Sequence, residues 1–379
     1  MKRKISVTTG SRSEYGILKP VLYKIKKHPN LKLQLIVAGM HLSKKYGNTV
    51  REIENDGFKI DSKINMIPRG NGIFDMTTAL GNGITKFAEI FNKSKPNINL
   101  ILGDRDETLA SAVAAYHMNI PNAHIHGGER TKGGIDEYNR HAITKISNIH
   151  FAVSKNSEKR IIKMGENPKH VFYTGSPSID DILANKILSK IKLQKKYGFE
   201  FNGKEIILLQ HSVTTSANTS NIEIQNTLDA IEKFGKPIIA IYPNSDAGNK
   251  EIIMNIEKKS KKLKNMKVYK NIPREDYLSL LKNCGVLVGN SSSGMIEASY
   301  FNIPVVNIGI RQQGRERGKN VIDVSNSTIN IENGIKKAFK FNRKNSEKIF
   351  GSGKASEKIV SKLAQIKLDD KLIQKQIFY

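Results

Sequence analysis

The chain has 379 residues, enough for two domains at roughly 150 residues each, and its 62 Lys and Arg against 35 Asp and Glu give a net charge of +27. With 38% hydrophobic residues, 26% charged residues and 29 Gly, it has the composition of a folded globular protein, which excludes a disordered chain. One cysteine, Cys284, excludes an internal disulfide framework and fits a reducing, cytoplasmic setting, and no apolar run reaches 18 residues, so no membrane span is expected.

Met1-Lys2-Arg3-Lys4 is basic like the start of a signal peptide, but the apolar stretch after it is only Ile5-Ser6-Val7, too short for secretion. From there, short apolar runs alternate with longer amphipathic ones. In the first half, strands are predicted at Ile5–Thr9, Leu33–Ala38, Leu100–Gly103, Asn122–His126, Phe151–Val153 and Val171–Thr174, with helices near 15–27, 43–56, 75–93, 106–118, 139–147 and 155–164. In the second half, strands are predicted at Ile206–Gln210, Pro237–Tyr242, Lys267–Tyr269, Val286–Val288 and Val305–Ile308, with helices near 222–234, 248–264, 274–282, 293–301 and 328–340. This alternation implies βαβ units and parallel sheets. The fold class is α/β, with two doubly wound domains: 1–180, then 181–342, separated by a Lys-rich break in 178–204. A last segment, 343–379, has a helical pattern and no strand. The lysines are spread over most helices, with one dense run at 258–264 and no basic-aromatic interleaving. The charge therefore reads as solvated surface, and no nucleic-acid partner is expected.

In open parallel sheets, ligands bind beyond the carboxyl ends of the strands, so the strand-end loops carry the functional signal. The first strand ends in Thr9-Gly10-Ser11-Arg12, where a glycine turn opening a helix would leave amides free for an anion and Arg12 could grip a phosphate. It lacks the GxGxxG of dinucleotide sites. Asp104 lies at a strand tip ahead of Asp106 and Glu107, which read as first-turn helix acids. His124-Ile125-His126-Gly127-Gly128-Glu129 places two histidines on one strand face by alternation, a weak metal signal, since spacing specifies no third ligand. Asp136 and Glu137 precede a helix and could cap it. Asp104, Glu129 and Asp136 together make a carboxylate-rich mouth, suited to acid/base work.

His211 stands at another strand tip, and Asn244 follows Tyr242-Pro243. The strongest local signal is Gly289-Asn290-Ser291-Ser292-Ser293-Gly294 after Val286-Leu287-Val288, a hydroxyl-rich turn ahead of a helix and a natural diphosphate seat, with Glu297 one turn on, able to accept from ribose hydroxyls. Arg311, Arg315 and Arg317 share one loop and suit phosphate charge. Gly351-Ser352-Gly353-Lys354 only half matches a P-loop, because Ala355 replaces Ser/Thr, and it is rejected as an ATP site.

Taken together, the segments 9–16, 102–110, 124–145, 174–181, 209–215, 242–248, 289–298 and 307–321 resemble, in order, the motifs of the hydrolysing UDP-N-acetylglucosamine 2-epimerases that open sialic-acid-type sugar synthesis. Ser11-Arg12-Ser13-Glu14-Tyr15 is similar to the hydrolysing branch rather than the non-hydrolysing one. The resemblance implies a GT-B-like fold, two Rossmann-like domains with the site in the cleft between them, and a C-terminal helix returning to the first domain. It implies catalytic roles for Asp104, Asp136, Glu129, His211 and His126, although some relatives carry Glu where this chain has His126. It implies UDP-sugar binding by Arg12, Arg105, Asn244, Asn290, Ser291, Ser292, Glu297 and Arg311, no metal or other cofactor, and a homodimer or homotetramer. The substrate it implies is UDP-N-acetylglucosamine. The alternatives are UDP-2,4-diacetamido-2,4,6-trideoxyglucose with the same chemistry, and glycosyl transfer on the same fold.

Overall fold

The computed structural model describes residues 2–68, 70, 72–343 and 347–379. Among these, two parallel sheets form two lobes. The first has the order β3-β2-β1-β4-β5-β6-β7, built from β1 (Arg3–Thr9), β2 (Leu31–Ala38), β3 (Ser62–Ile64), β4 (Ile98–Leu102), β5 (Asn122–Ile125), β6 (Ile149–Ala152) and β7 (Val171–Tyr173). The second has the order β10-β9-β8-β11-β12-β13, built from β8 (Ile206–Leu209), β9 (Ile238–Ile241), β10 (Met266–Tyr269), β11 (Val286–Gly289), β12 (Val305–Ile308) and β13 (Val321–Val324). The fold is GT-B-like, with two Rossmann-like α/β lobes.

The central strands are buried on both faces, which is why they read as unbroken apolar runs such as Ile206-Ile207-Leu208. Each sheet reverses strand order at one place, between β1 and β4 in the first lobe and between β8 and β11 in the second. A doubly wound sheet opens its binding crevice at such a point. The two crevices face each other, and the loops after β1, β4, β8 and β11 line one cavity.

The segment after β7 crosses to the second lobe through helices Pro177–Ala184 and Lys190–Tyr197. The chain crosses back near Phe350, and the two crossings touch: the Ser176 amide donates to the Phe350 carbonyl at 2.9 Å. Gly175 and Gly351, both at positive φ, face each other there, and a Cβ on Gly175 would sit 3.1 Å from the Phe350 oxygen. Helix Ala355–Gln365 then packs on helix Arg12–Lys27, burying Ile359, Val360 and Leu363 with Ile5, Leu18 and Leu22. Asp180 receives the Ala355 and Ser356 amides at 3.0 and 2.7 Å and so caps that returning helix.

Several elements differ from the sequence reading. The region expected as one helix over 43–56 is a 3₁₀ turn Lys44–Tyr46 and a short helix Val50–Asn55, because Gly47 and Asn48 take positive φ and break the pattern. The strands Ser62–Ile64 and Val321–Val324 were not anticipated, being edge strands of 3 and 4 residues. The helix expected over 293–301 starts only at Glu297, after a 3₁₀ turn Ser292–Gly294. Of the helical pattern expected over 343–379, residues 344–346 lie outside the described residues, and the remainder holds helices Ala355–Gln365 and Asp370–Ile373.

Candidate active site

The cavity between the lobes has a volume of about 250 Å³, and on its second-lobe wall lie Ser291, Ser292, Ser293, His211, Asn244 and Glu297. Gly289, at φ +138, lets β11 press against β8, since a Cβ there would overlap the Leu209 carbonyl. That close approach allows the Asn290 side chain to accept from the His211 amide at 2.7 Å and donate to the His211 carbonyl at 2.9 Å. Asn290 is thus a brace between two strand tips and does not line the cavity. The Asn244 amide donates to His211 Nδ1 at 3.1 Å, leaving Nε2 to carry the imidazole proton. Burial, then the charges of Arg311 and Arg105, push the His211 pKa well down, so this ring is a neutral donor. Glu297 Oε1 accepts from Ser178 at 2.8 Å and from Arg274 at 3.0 Å, so this buried carboxylate is paired.

The first-lobe wall carries Arg12, Asp104, Arg105, His126, Glu129 and Asp136. Arg12 Nε lies 3.0 Å from both Glu52 oxygens, while its Nη2 is buried without a partner. Half-buried Asp104 is bonded to Arg140, the largest fully buried side chain among the described residues; desolvation alone would raise the Asp104 pKa, but Arg140, Arg315 and Arg311 outweigh it and hold the carboxyl below its usual range. Asp136 behaves oppositely. Burial pushes it up to about 6 despite its 3.0 Å contact with Arg311, and the nearby charges of Asp104 and Asp246 add to the rise. Glu129 is buried yet held well below the carboxylate range by Arg315 and His126.

Residues 23–364 match the family model described as UDP-N-acetylglucosamine 2-epimerase. The chain belongs to the UDP-N-acetylglucosamine 2-epimerase family. A relative from Legionella pneumophila, UDP-N,N'-diacetylbacillosamine 2-epimerase (hydrolyzing), is 37% identical over 99% of both chains. Polysialic acid biosynthesis protein P7 of Escherichia coli is 37% identical over 88% of this chain and 85% of its own. In fold, the chain is similar to the Neisseria meningitidis UDP-GlcNAc 2-epimerase crystallised with UDP-GlcNAc, with TM-score 0.80 and 20% identity over 96% of this chain and 100% of that one. The family resemblance read from the motifs stands on these matches.

Within this family member, four sequence readings need correction. The amides of Gly10 and Ser11 are not open to an anion: both donate to Glu14 Oε2 at 2.9 Å, in a capping box that starts helix Arg12–Lys27. His124 and His126 do not share a face, because β5 ends at Ile125 and His126 turns away at φ +69. His124 meets the Gly103 carbonyl at 2.8 Å, and among the described residues no three His, Cys, Asp or Glu side chains group to hold a metal ion. Of the three loop arginines, Arg317 does not line the cavity; it binds the carbonyls of Gln312 and Arg315 and the carboxylate of Asp323. Asp136 does not cap its helix, where no side-chain cap bond forms, so its carboxylate stays free to meet Arg311 of the other lobe. Arg105 also reaches across, 3.3 Å from Ser245 and 3.6 Å from Asp246. Sequence reasoning missed Arg140 and Arg274, the cations that fix Asp104 and Glu297. An arginine inside a helix pattern gives no sign that it will be buried, and only the spare acids nearby could have hinted at it.

Among the described residues, no helix is long and apolar enough to cross a membrane.

Proposed function

We propose that this chain is a hydrolysing 2-epimerase of a UDP-linked 2-acetamido sugar, converting it with water to free UDP and the C2-inverted sugar. The observation that carries this reading is a pair of carboxylates, Asp104 and Asp136, with opposite pKa shifts, set on one cavity across from a serine turn and Arg311. In this reading, residues 1–180 hold the sugar, residues 181–342 hold UDP and residues 343–379 return to the first lobe.

The proton on C2 is not acidic until UDP begins to leave. As the C1–O bond breaks, its electron pair goes to the phosphate oxygen, and positive charge grows at C1. Ser291, Ser292, the His211 Nε2–H and Arg311 receive the departing diphosphate, with Arg12 offering its free Nη2. Glu297 accepts from the ribose. Asn290 supports this wall indirectly by bracing His211, Asn244 shapes the same loop, and Arg105 ties the two lobes. Asp104, held ionised, takes the C2 proton, leaves a C1=C2 glycal, and releases that proton to solvent once UDP has left as the anion, which restores the base. Asp136 carries a proton and delivers it to the opposite face of C2. Water bonds to C1, and the proton it sheds recharges Asp136. His126 and Glu129 complete the acid/base side. The net change is redox-neutral.

The first substrate reading is UDP-N-acetylglucosamine, released as N-acetylmannosamine. The second is UDP-2,4-diacetamido-2,4,6-trideoxyglucose, favoured by the Legionella pneumophila relative that spans 99% of both chains. The test supplies each nucleotide sugar in D2O, measures UDP release without an acceptor, and identifies the sugar by NMR. The expected product carries deuterium at an inverted C2. Release that requires an acceptor sugar would mean glycosyl transfer and end the proposal.

A further inference from the structure

One buried chain of contacts links the two lobes through His126. On one side, His126 Nδ1 lies 2.8 Å from Glu129 Oε2, and Glu129 is gripped in turn by Arg315 of the second lobe, at 3.1 and 2.6 Å to its two oxygens. On the other side, His126 Nε2 lies 3.0 Å from the Ser176 hydroxyl. Ser176 sits where the crossings touch, its amide on the Phe350 carbonyl and its Oγ accepting from the Ser178 amide at 3.2 Å. The Glu129 carboxylate can only accept, so Nδ1 carries its proton toward Glu129, and the Ser176 hydroxyl is the partner of Nε2. His126 and Glu129 are 4% and 3% exposed, and His126 holds φ +69, a conformation a histidine keeps only when its surroundings enforce it.

We propose that Arg315 and Ser176 are positioning residues, holding the His126 imidazole in one tautomer and one orientation only while the second lobe sits against the first. Arg315 makes a bidentate contact with Glu129 and so fixes the carboxylate that His126 Nδ1 faces. If the lobes part, Glu129 loses its bidentate partner and His126 loses its fixed place. The ring is therefore ordered from the far lobe on its Nδ1 side and from the crossing point on its Nε2 side. This rests on the hydrolysing-epimerase reading, with His126 acting on the sugar side.

The test compares Arg315→Gln, Arg315→Lys, Ser176→Ala, His126→Gln and the double variant Arg315→Gln/His126→Gln, using steady-state UDP release and calorimetric UDP binding. Arg315→Gln should lower kcat by about tenfold or more while KM and UDP affinity stay within about threefold. Arg315→Lys should recover only part, because an ammonium cannot make the bidentate contact. Ser176→Ala should also lower kcat rather than raise KM. The double variant should be about as slow as His126→Gln alone, since both changes break one relay. Losses that multiply in the double variant, or a loss confined to KM, would overturn the proposal. Should Arg315→Gln misfold with Glu129 stranded, Glu129→Gln/Arg315→Gln removes the unpaired charge and is read in the same way. If the native enzyme releases UDP but His126→Gln is equally fast, this inference alone falls. If the native enzyme acts on neither nucleotide sugar, the underlying reading falls with it.

Discussion

Asp104 and Asp136 are the same residue type on one cavity, and their neighbours separate them. Asp104 has Arg140 buried against it, whereas Asp136 has burial and two acidic neighbours to overcome with Arg311. Asp104→Asn should therefore reduce kcat by about 10²- to 10⁴-fold, the usual share of a general base, and leave UDP affinity by calorimetry unchanged within about threefold. Asp136 must be protonated to donate, so kcat/KM should fall as pH rises through about 6, the value of the free enzyme. Arg311 lowers that value, so Arg311→Gln should move the descending limb to higher pH, in addition to weakening UDP binding. A limb that stays in place would remove Asp136 as its source. Asp104 was legible as a cleft residue because it follows a strand tip ahead of a helix, and Asp136 because it opens a helix after a glycine loop; both line the cavity. Their opposite shifts were not, because Arg140 is 36 residues away from Asp104 in sequence.

The strand tips bear the site, and the elements behind them set its shape. Gly289 is the tightest of these points: Gly289→Ala would force β11 away from the Leu209 carbonyl and take the serine turn with it. Because φ +138 also disfavours a Cβ, the variant should lose both stability and UDP binding, measured by thermal melting and calorimetry. The returning helix offers a contrasting case. Ile359 is fully buried against the first lobe, far in sequence from its neighbours, and Ile359→Ala should cost about 2–5 kcal/mol in urea unfolding. Long amphipathic stretches and apolar strands were readable from periodicity. The edge strands Ser62–Ile64 and Val321–Val324 were not, because each holds a charged residue and is only partly buried, so neither stands out as an apolar run.

On the scale of the molecule, the cavity is built from both lobes, so a ligand that touches both should tie them together. Saturating UDP at about 100 times its Kd should add about 2.7 kcal/mol to stability, seen as a higher Tm than the free protein shows. The net charge of +27 adds a diffuse field rather than a contact. For an anionic nucleotide sugar, that field should raise encounter rates at low salt, so kcat/KM should fall with added NaCl while kcat holds steady. A kcat that falls in parallel would locate the salt effect in the site itself.

The sequence by itself determined the two parallel-sheet lobes and the loops that carry the chemistry. Alternating apolar runs and amphipathic helices, together with strand-end glycines, serines and carboxylates, are local signals that survive in one dimension. Only the tertiary structure decided which of those groups face the cavity and which are spent on the protein. Asn290 braces His211, Glu14 consumes the Gly10 and Ser11 amides, Arg315 reaches Glu129 186 residues away, and His126 is held between Glu129 and Ser176. These outcomes depend on burial and on charge pairing between distant segments, and a carboxylate's pKa or an arginine's partner is set by what folds against it rather than by what precedes it in the chain.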